Sequence, residues 1–152
     1  MFDLKENNQG FFTIEAMFAT MLILVIVLSV ANFTILGIAR SRLSQQVEML
    51  SVSTSLNGGL LQADLDNFLN TLEDMGYDKN LITVSVQRLG DSGLEGNFIL
   101  PNMDSSYVSI NDTYNQIHIN LSIPIQDAHK PFVLFSVLSE THFERRVMSR
   151  RL

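Results

Sequence analysis

A chain of 152 residues has room for about one domain of ordinary size, and its sixteen acids against ten Lys and Arg leave a net charge of −6. An acidic body lacks the basic surface that neutralises phosphates, so nucleic acid is not expected as a partner. Cysteine is absent, which removes disulfide frameworks and thiolate metal sites.

The first element is apolar. The 24 residues from Ala16 to Ala39 carry no charge, and as a helix they would run about 36 Å, longer than the roughly 30 Å hydrocarbon core of a bilayer. A cleavable secretory signal is shorter and starts basic, whereas this chain starts MFDLKENNQG, with Lys5 outnumbered by Asp3 and Glu6. From Arg40 to Leu56 there is no proline or glycine, and Leu43, Val47, Leu50 and Thr54 recur at helical spacing, so an amphipathic face continues past the apolar run. Asn57-Gly58-Gly59 stops it. The pattern predicts one long helix over 11–57, with a transmembrane half over 11–39.

A second helix is predicted over 60–76. Leu61, Leu65, Phe68, Leu72 and Met75 follow 4-3-4-3 spacing, Asp64 and Asp66 sit near the positive N-terminal end, and Gly76 is the stop. From residue 81 the period becomes two. Ile82, Val84 and Val86 alternate with Thr83, Ser85 and Gln87, and Ile117, Ile119, Leu121, Ile123 and Ile125 alternate with His118, Asn120, Ser122 and Pro124. Both read as half-buried strands, with Pro124 suited to an edge or a strand end. NFIL and SYVSI are shorter extended candidates. The NDTYN turn is expected to pair Tyr107–Ile110 with Gln116–Ile123 as a hairpin. KPFVLFSVLSETHF supplies the last strand. The fold class is α+β: a long N-terminal hydrophobic helix, a short second helix, and a small antiparallel sheet in a β-rich region over 81–152 that needs helical cover.

One residue conflicts with the apolar start. Glu15 stands within it, and a carboxylate near a bilayer core costs about 2.5–3.5 kcal/mol on insertion scales. Taken alone, it reads either as an interfacial residue reaching the headgroups or as a residue with a positive partner. Gly10, followed by Phe11-Phe12-Thr13-Ile14-Glu15 and a long apolar helix, resembles the class III signal of type IV pilins and pseudopilins. The resemblance covers about 30 residues and extends most closely to minor pilins of the Tad type and to archaeal pilin-like proteins. It implies a leader over 1–10, removed by a prepilin peptidase between Gly10 and Phe11, and a glutamate at the fifth position of the mature chain. It further implies that Glu15 neutralises the new terminal amine of a neighbouring subunit during assembly. The expected partners are therefore the peptidase, other pilin subunits, the membrane and the pilus assembly machinery. The expected product is a cell-surface filament serving adhesion, secretion or motility. A count of flanking basic residues, with Arg40 and Arg42 after the run, places the C-terminal part inside the cell. The resemblance places it outside, and that orientation is the expectation adopted. The rival reading is a single-span anchored extracytoplasmic binding protein that does not polymerise.

Other motifs have plain readings. Gly90-Asp91-Ser92-Gly93 spells the letters around a serine-protease nucleophile, but His118, His129 and His142 all follow it and the chain lacks the second barrel, so it reads as a turn. The three histidines have no ligand-like spacing and read as surface residues. Asp64, Asp66, Glu73, Asp74 and Asp78 lack the glycine and glutamate of a calcium loop and read as a solvated helix face. Asn111-Asp112-Thr113 and Asn120-Leu121-Ser122 fit the N-glycosylation sequon, Asn111 in the more accessible turn. Arg145, Arg146, Arg150 and Arg151 read as a frayed, solvated terminus, the alternative being a contact with acidic neighbours in a filament or with anionic headgroups. No enzyme, cofactor or metal site is expected.

Overall fold

A computed structural model describes residues 5–103, 106–124 and 140–152. The first element, α1, spans Lys5–Asn57, 53 residues, and its apolar stretch is long enough to cross a membrane. It starts ahead of the predicted residue 11, since nothing in 5–10 except Gly10 opposes a helix. The chain divides into two units, Met1–Ile38 and Ala39–Leu152. In the first, most apolar side chains from Ile14 to Ile38 are exposed, while Asn32 and, in part, Ser29 and Leu36 are covered. Its hydroxyls fold back on their own helix: Thr20 Oγ1 donates to the Ala16 carbonyl at 2.6 Å, Ser29 Oγ to Val25 at 2.7 Å and Thr34 Oγ1 to Val30 at 2.8 Å. That satisfies donors which lipid cannot.

In the second unit the elements after α1 are β1 (Leu60–Leu61), α2 (Gln62–Asp74), a 3-10 turn (Lys79–Leu81), β2 (Thr83–Gly90), β3 (Gly93–Glu95), β4 (Ile99–Leu100), β5 (Gln116–Pro124) and β6 (Glu140–Met148). The main sheet runs β3-β2-β5-β6, antiparallel throughout, and β1 pairs with β4 in a separate two-residue parallel ladder. The architecture is α+β, a long apolar helix and a short helix followed by an antiparallel sheet.

The core is where the two periodicities meet. Leu43, Val47, Leu50 and Thr54 of α1 and Leu65, Phe68 and Leu72 of α2 are buried. They oppose the inward residues of the sheet: Val86, Ile117, Ile119, Leu121 and Ile123, with Phe143 and Val147 packed alongside. Each fully buried Leu or Ile of this kind contributes about 1.5–3 kcal/mol of transfer free energy.

Both helices close on glycine. At α2, Gly76 takes φ 90°, the Gly76 N–H donates to Glu73 O at 2.8 Å and the Tyr77 N–H to Leu72 O at 2.9 Å. This is the Schellman arrangement, with buried Tyr77 lying over buried Leu72. At α1, Gly58 takes φ 68° and the Gly59 N–H donates to Thr54 O at 3.1 Å. Burial pushes the Tyr77 phenol above its ordinary value of 10.0. The neutral phenol is thus favoured in the fold, so its contribution is complete below the unfolded value and is lost as the pH climbs through the higher folded one. Denaturant midpoints are predicted to fall with pH above 10.0 and to fall less steeply in Tyr77→Phe.

One expected strand pairing is corrected. Tyr107–Ile110 does not pair with β5. Both edges of β5 are occupied, by β2 from Thr83 to Arg88 and by β6 along its whole length. The donors of 107–110 go elsewhere: the Val108 N–H to Gly58 O at 2.8 Å and the Ile110 N–H to Arg151 O at 2.7 Å. Of the predicted last strand, residues 140–143 lie in β6, which runs Glu140–Met148; residues 130–139, and His129, lie outside the described residues. Pro124 is the last described residue of β5, where it stands opposite Glu140.

Candidate functional site

Glu15 is exposed on α1. Gly10 and Phe11 lie in the same run of helical backbone, which puts Glu15 one turn, about 6 Å of rise, beyond Phe11. Between Thr13 and Ala39 it is the only charged side chain, and among the described residues it has no hydrogen bond or ion pair. Gly37 lies further along the same run, where an added Cβ would meet nothing within 4 Å. The segment therefore offers a carboxylate, exposed apolar surface and an open backbone approach, the elements from which close helix contacts in apolar surroundings are built. Sequence reading missed Asn32. It is only 3% exposed and its Oδ1 has no hydrogen-bond partner among the described residues. Its signal was available, since it is the one carboxamide in an uncharged run.

The other candidates resolve into structural roles. Gly90 pairs with Gly93 across the two-residue turn Asp91-Ser92, so the GDSG letters form the β2–β3 hairpin. His118 is not a surface residue. It does stand on the polar face of β5, but it is flanked by Gln87 and Arg146 on the neighbouring strands and is 8% exposed. His142 is exposed beside Glu140 at 3.4 Å. No group of three acids or histidines able to hold a metal occurs among the described residues.

The acids after Asn57 are not simply a solvated face. Asp64 accepts hydrogen bonds from Ser53 Oγ and from Asn57 Nδ2, tying the first turn of α2 to the last turns of α1. Asp78 Oδ1 caps the 3-10 turn by accepting from the Asn80 N–H at 2.9 Å. Glu73 bridges Lys79 at 2.8 Å and, by that hydrogen bond, holds the ammonium above its ordinary pKa. Asp66 and Asp74 keep exposed positions on α2.

The C-terminal arginines are corrected most. Ser149 is buried; its Oγ donates to Val108 O at 2.5 Å and its N–H to Asn115 O at 2.8 Å. The Arg150 N–H donates to Ser55 O at 2.8 Å. The Arg151 guanidinium lies 3.7 Å from the Tyr107 ring centre and donates to Asn57 O at 3.2 Å and Met103 O at 2.7 Å. A cation at carbonyls that α1 leaves open matches the negative end of the helix dipole. Arg145 belongs to β6 opposite Ile119 and reaches Glu48 of α1 at 3.8 Å. The terminus is thus fastened to the α1 end through its backbone, which residue type alone does not disclose.

Of the two sequons, Asn111 sits exposed in a turn where the Ser109 N–H donates to Asp112 Oδ2 at 2.7 Å. Asn120 is exposed but held in β5 between Ser85 and Glu144, and the Ser122 hydroxyl of its sequon is buried. Comparison with protein-family models, with curated proteins and with solved structures returns no match to this chain.

Proposed function

We propose that this protein is a pilin-like structural subunit, made as a membrane-anchored precursor, cut between Gly10 and Phe11 by a prepilin peptidase and assembled through its apolar helix into a type IV pilus-like surface filament. One observation carries the reading: an exposed carboxylate, Glu15, one helical turn beyond the cleavage position, in a stretch where every other exposed large side chain is apolar. Cleavage creates an amine at Phe11. A neighbouring copy's amine and the Glu15 carboxylate then neutralise each other in a low-dielectric stem, where opposite charges attract far more strongly than in water. Each must first lose its water, so the pair fixes register more than it adds stability. The apolar side chains leaving lipid bury against equivalent segments of neighbours, and Ala16, Ala19, Ser29, Ala31 and Gly37 allow close approach. In this reading the second unit faces out of the cell and Asn111 is the accessible sequon.

The sequence of the mature N-terminus tests the proposal. Material extracted from the membrane or the surface is expected to begin at Phe11. A mature chain that retains Met1 removes the amine and overturns the filament reading in favour of a single-span anchor for a binding domain.

A further inference from the structure

β6 runs alongside α1 and in the same direction. Arg145 Nε lies 3.8 Å from Glu48 Oε2, and further along Ser55 Oγ donates to the Met148 carbonyl at 2.5 Å while the Arg150 N–H donates to the Ser55 carbonyl at 2.8 Å. The two elements keep step, since Arg145 to Met148 is about 10 Å of strand and Glu48 to Ser55 about 10.5 Å of helix. Followed the other way, the stretch from Arg145 back to His142 matches about seven residues of α1 and brings His142 level with Arg40 and Arg42. Strand pairing carries that level across the sheet, because His142 stands opposite Ser122 and Ser122 opposite Thr83. Glu140 and Pro124 close the described β5–β6 pair about 7 Å further on. Leu81, in the 3-10 turn that feeds β2, is 57% exposed at the same end.

Arg40 and Arg42 are exposed and follow directly on the uncharged run. Where α1 crosses a bilayer they reach into the headgroup layer, which is about 5–8 Å deep on each side of the hydrocarbon. The step from His142 to Glu140, about 7 Å of strand, is as deep as that layer. We infer that the end of the sheet formed by Leu81, Glu140 and His142 rests on phospholipid headgroups beside α1, so that the 39–152 unit stands on the lipid surface with no stalk between. A zwitterionic headgroup fits the charges found there: its phosphate meets Arg40 and Arg42, its ammonium meets Glu140, and Leu81 supplies an apolar contact below them. The placement rests on the membrane-crossing reading of α1, which the filament subunit and the single-span anchor share.

The chain has no cysteine, which makes the test direct. Full-length copies carrying one cysteine each, Leu81→Cys, His142→Cys, Asn111→Cys or Val25→Cys, are labelled with a fluorophore and reconstituted into phosphatidylcholine vesicles that hold a nitroxide either on the headgroup or on the acyl chain. Asn111 belongs to the opposite end of the unit, since the Ile110 N–H before it donates to the Arg151 carbonyl. The headgroup nitroxide is expected to quench the labels at 81 and 142 several-fold more than the label at 111, and the acyl-chain nitroxide to quench the label at 25. Seven alanines inserted between Arg42 and Leu43 keep the helical phase and raise the unit by about 10 Å, so quenching at 142 is expected to fall to the level seen at 111. Labels at 81 and 142 quenched as little as the label at 111, with the label at 25 quenched, overturn the placement and leave the anchored stem standing. Quenching at 142 that survives the insertion comes from another arrangement and likewise overturns it. A label at 25 that the acyl-chain nitroxide does not quench overturns both the placement and the membrane-crossing reading.

Discussion

Gly58→Ala is expected to lower the stability of the 39–152 unit by about 3 kcal/mol or more, a large share of the roughly 5–15 kcal/mol that holds a domain of this size. Two costs add. Gly58 sits at φ 68°, where a side chain costs about 1–2 kcal/mol. An added Cβ would also collide with the Val108 carbonyl oxygen, which is backbone and cannot swing aside. The neighbourhood has no slack: the Val108 N–H donates to Gly58 O at 2.8 Å, and the Val108 carbonyl accepts from Ser149 Oγ at 2.5 Å. Moving Val108 to admit a methyl therefore disturbs the end of α1 and the chain terminus together. Gly37→Ala is the matched control, because its added Cβ meets nothing within 4 Å, and it should stay within about 1 kcal/mol of the parent. Denaturant midpoints of the purified full chain decide it, and equal midpoints for Gly58→Ala and the parent would sink the strain argument.

On the filament reading proposed above, Glu15→Ala is expected to leave cleavage after Gly10 intact and to reduce incorporation into filaments by about a hundredfold to a few thousandfold. Removing one member of a desolvated charge pair costs about 3–5 kcal/mol, because the other is left buried and alone, and each 1.4 kcal/mol is tenfold in an equilibrium. Glu15→Asp, which keeps the charge but shortens the reach, should recover part of the loss. Separating cleaved chain from sheared filament material on one gel reads both steps. Cleavage that stays normal while incorporation also stays normal would remove the amine from the mechanism.

How much of this was legible depends on whether a residue's role is set by its neighbours in sequence. Leu43, Val47, Leu50 and Thr54, and the Leu65, Phe68, Leu72 series, announce their burial by spacing, and all are buried. Ile117 to Ile123 alternate, and their odd positions are the core face of β5. Alternation identifies a face but not a partner. Tyr107–Ile110 is adjacent to a good turn and looked like the other half of a hairpin, yet β5 is claimed on both sides by strands distant in sequence. The tail failed for a related reason. Arg150 and Arg151 are held by contacts with Ser55, Asn57 and Met103, and no local pattern encodes such long-range bonds. His118 was read from its strand face alone, while in the structure it is buried in the middle of the sheet, with Gln87 and Arg146 opposite it on the neighbouring strands. Glu15 was legible because a lone charge in an apolar run stands out without any fold.

The bond from Arg151 to the Asn57 carbonyl spans 94 positions, and Ser55 joins Met148 across 93. During synthesis α1 is therefore complete some ninety residues before the groups that close its end are made. A nascent chain stalled ahead of Met148 holds the helix but not its clasp, and offers quality-control proteases an unsealed domain.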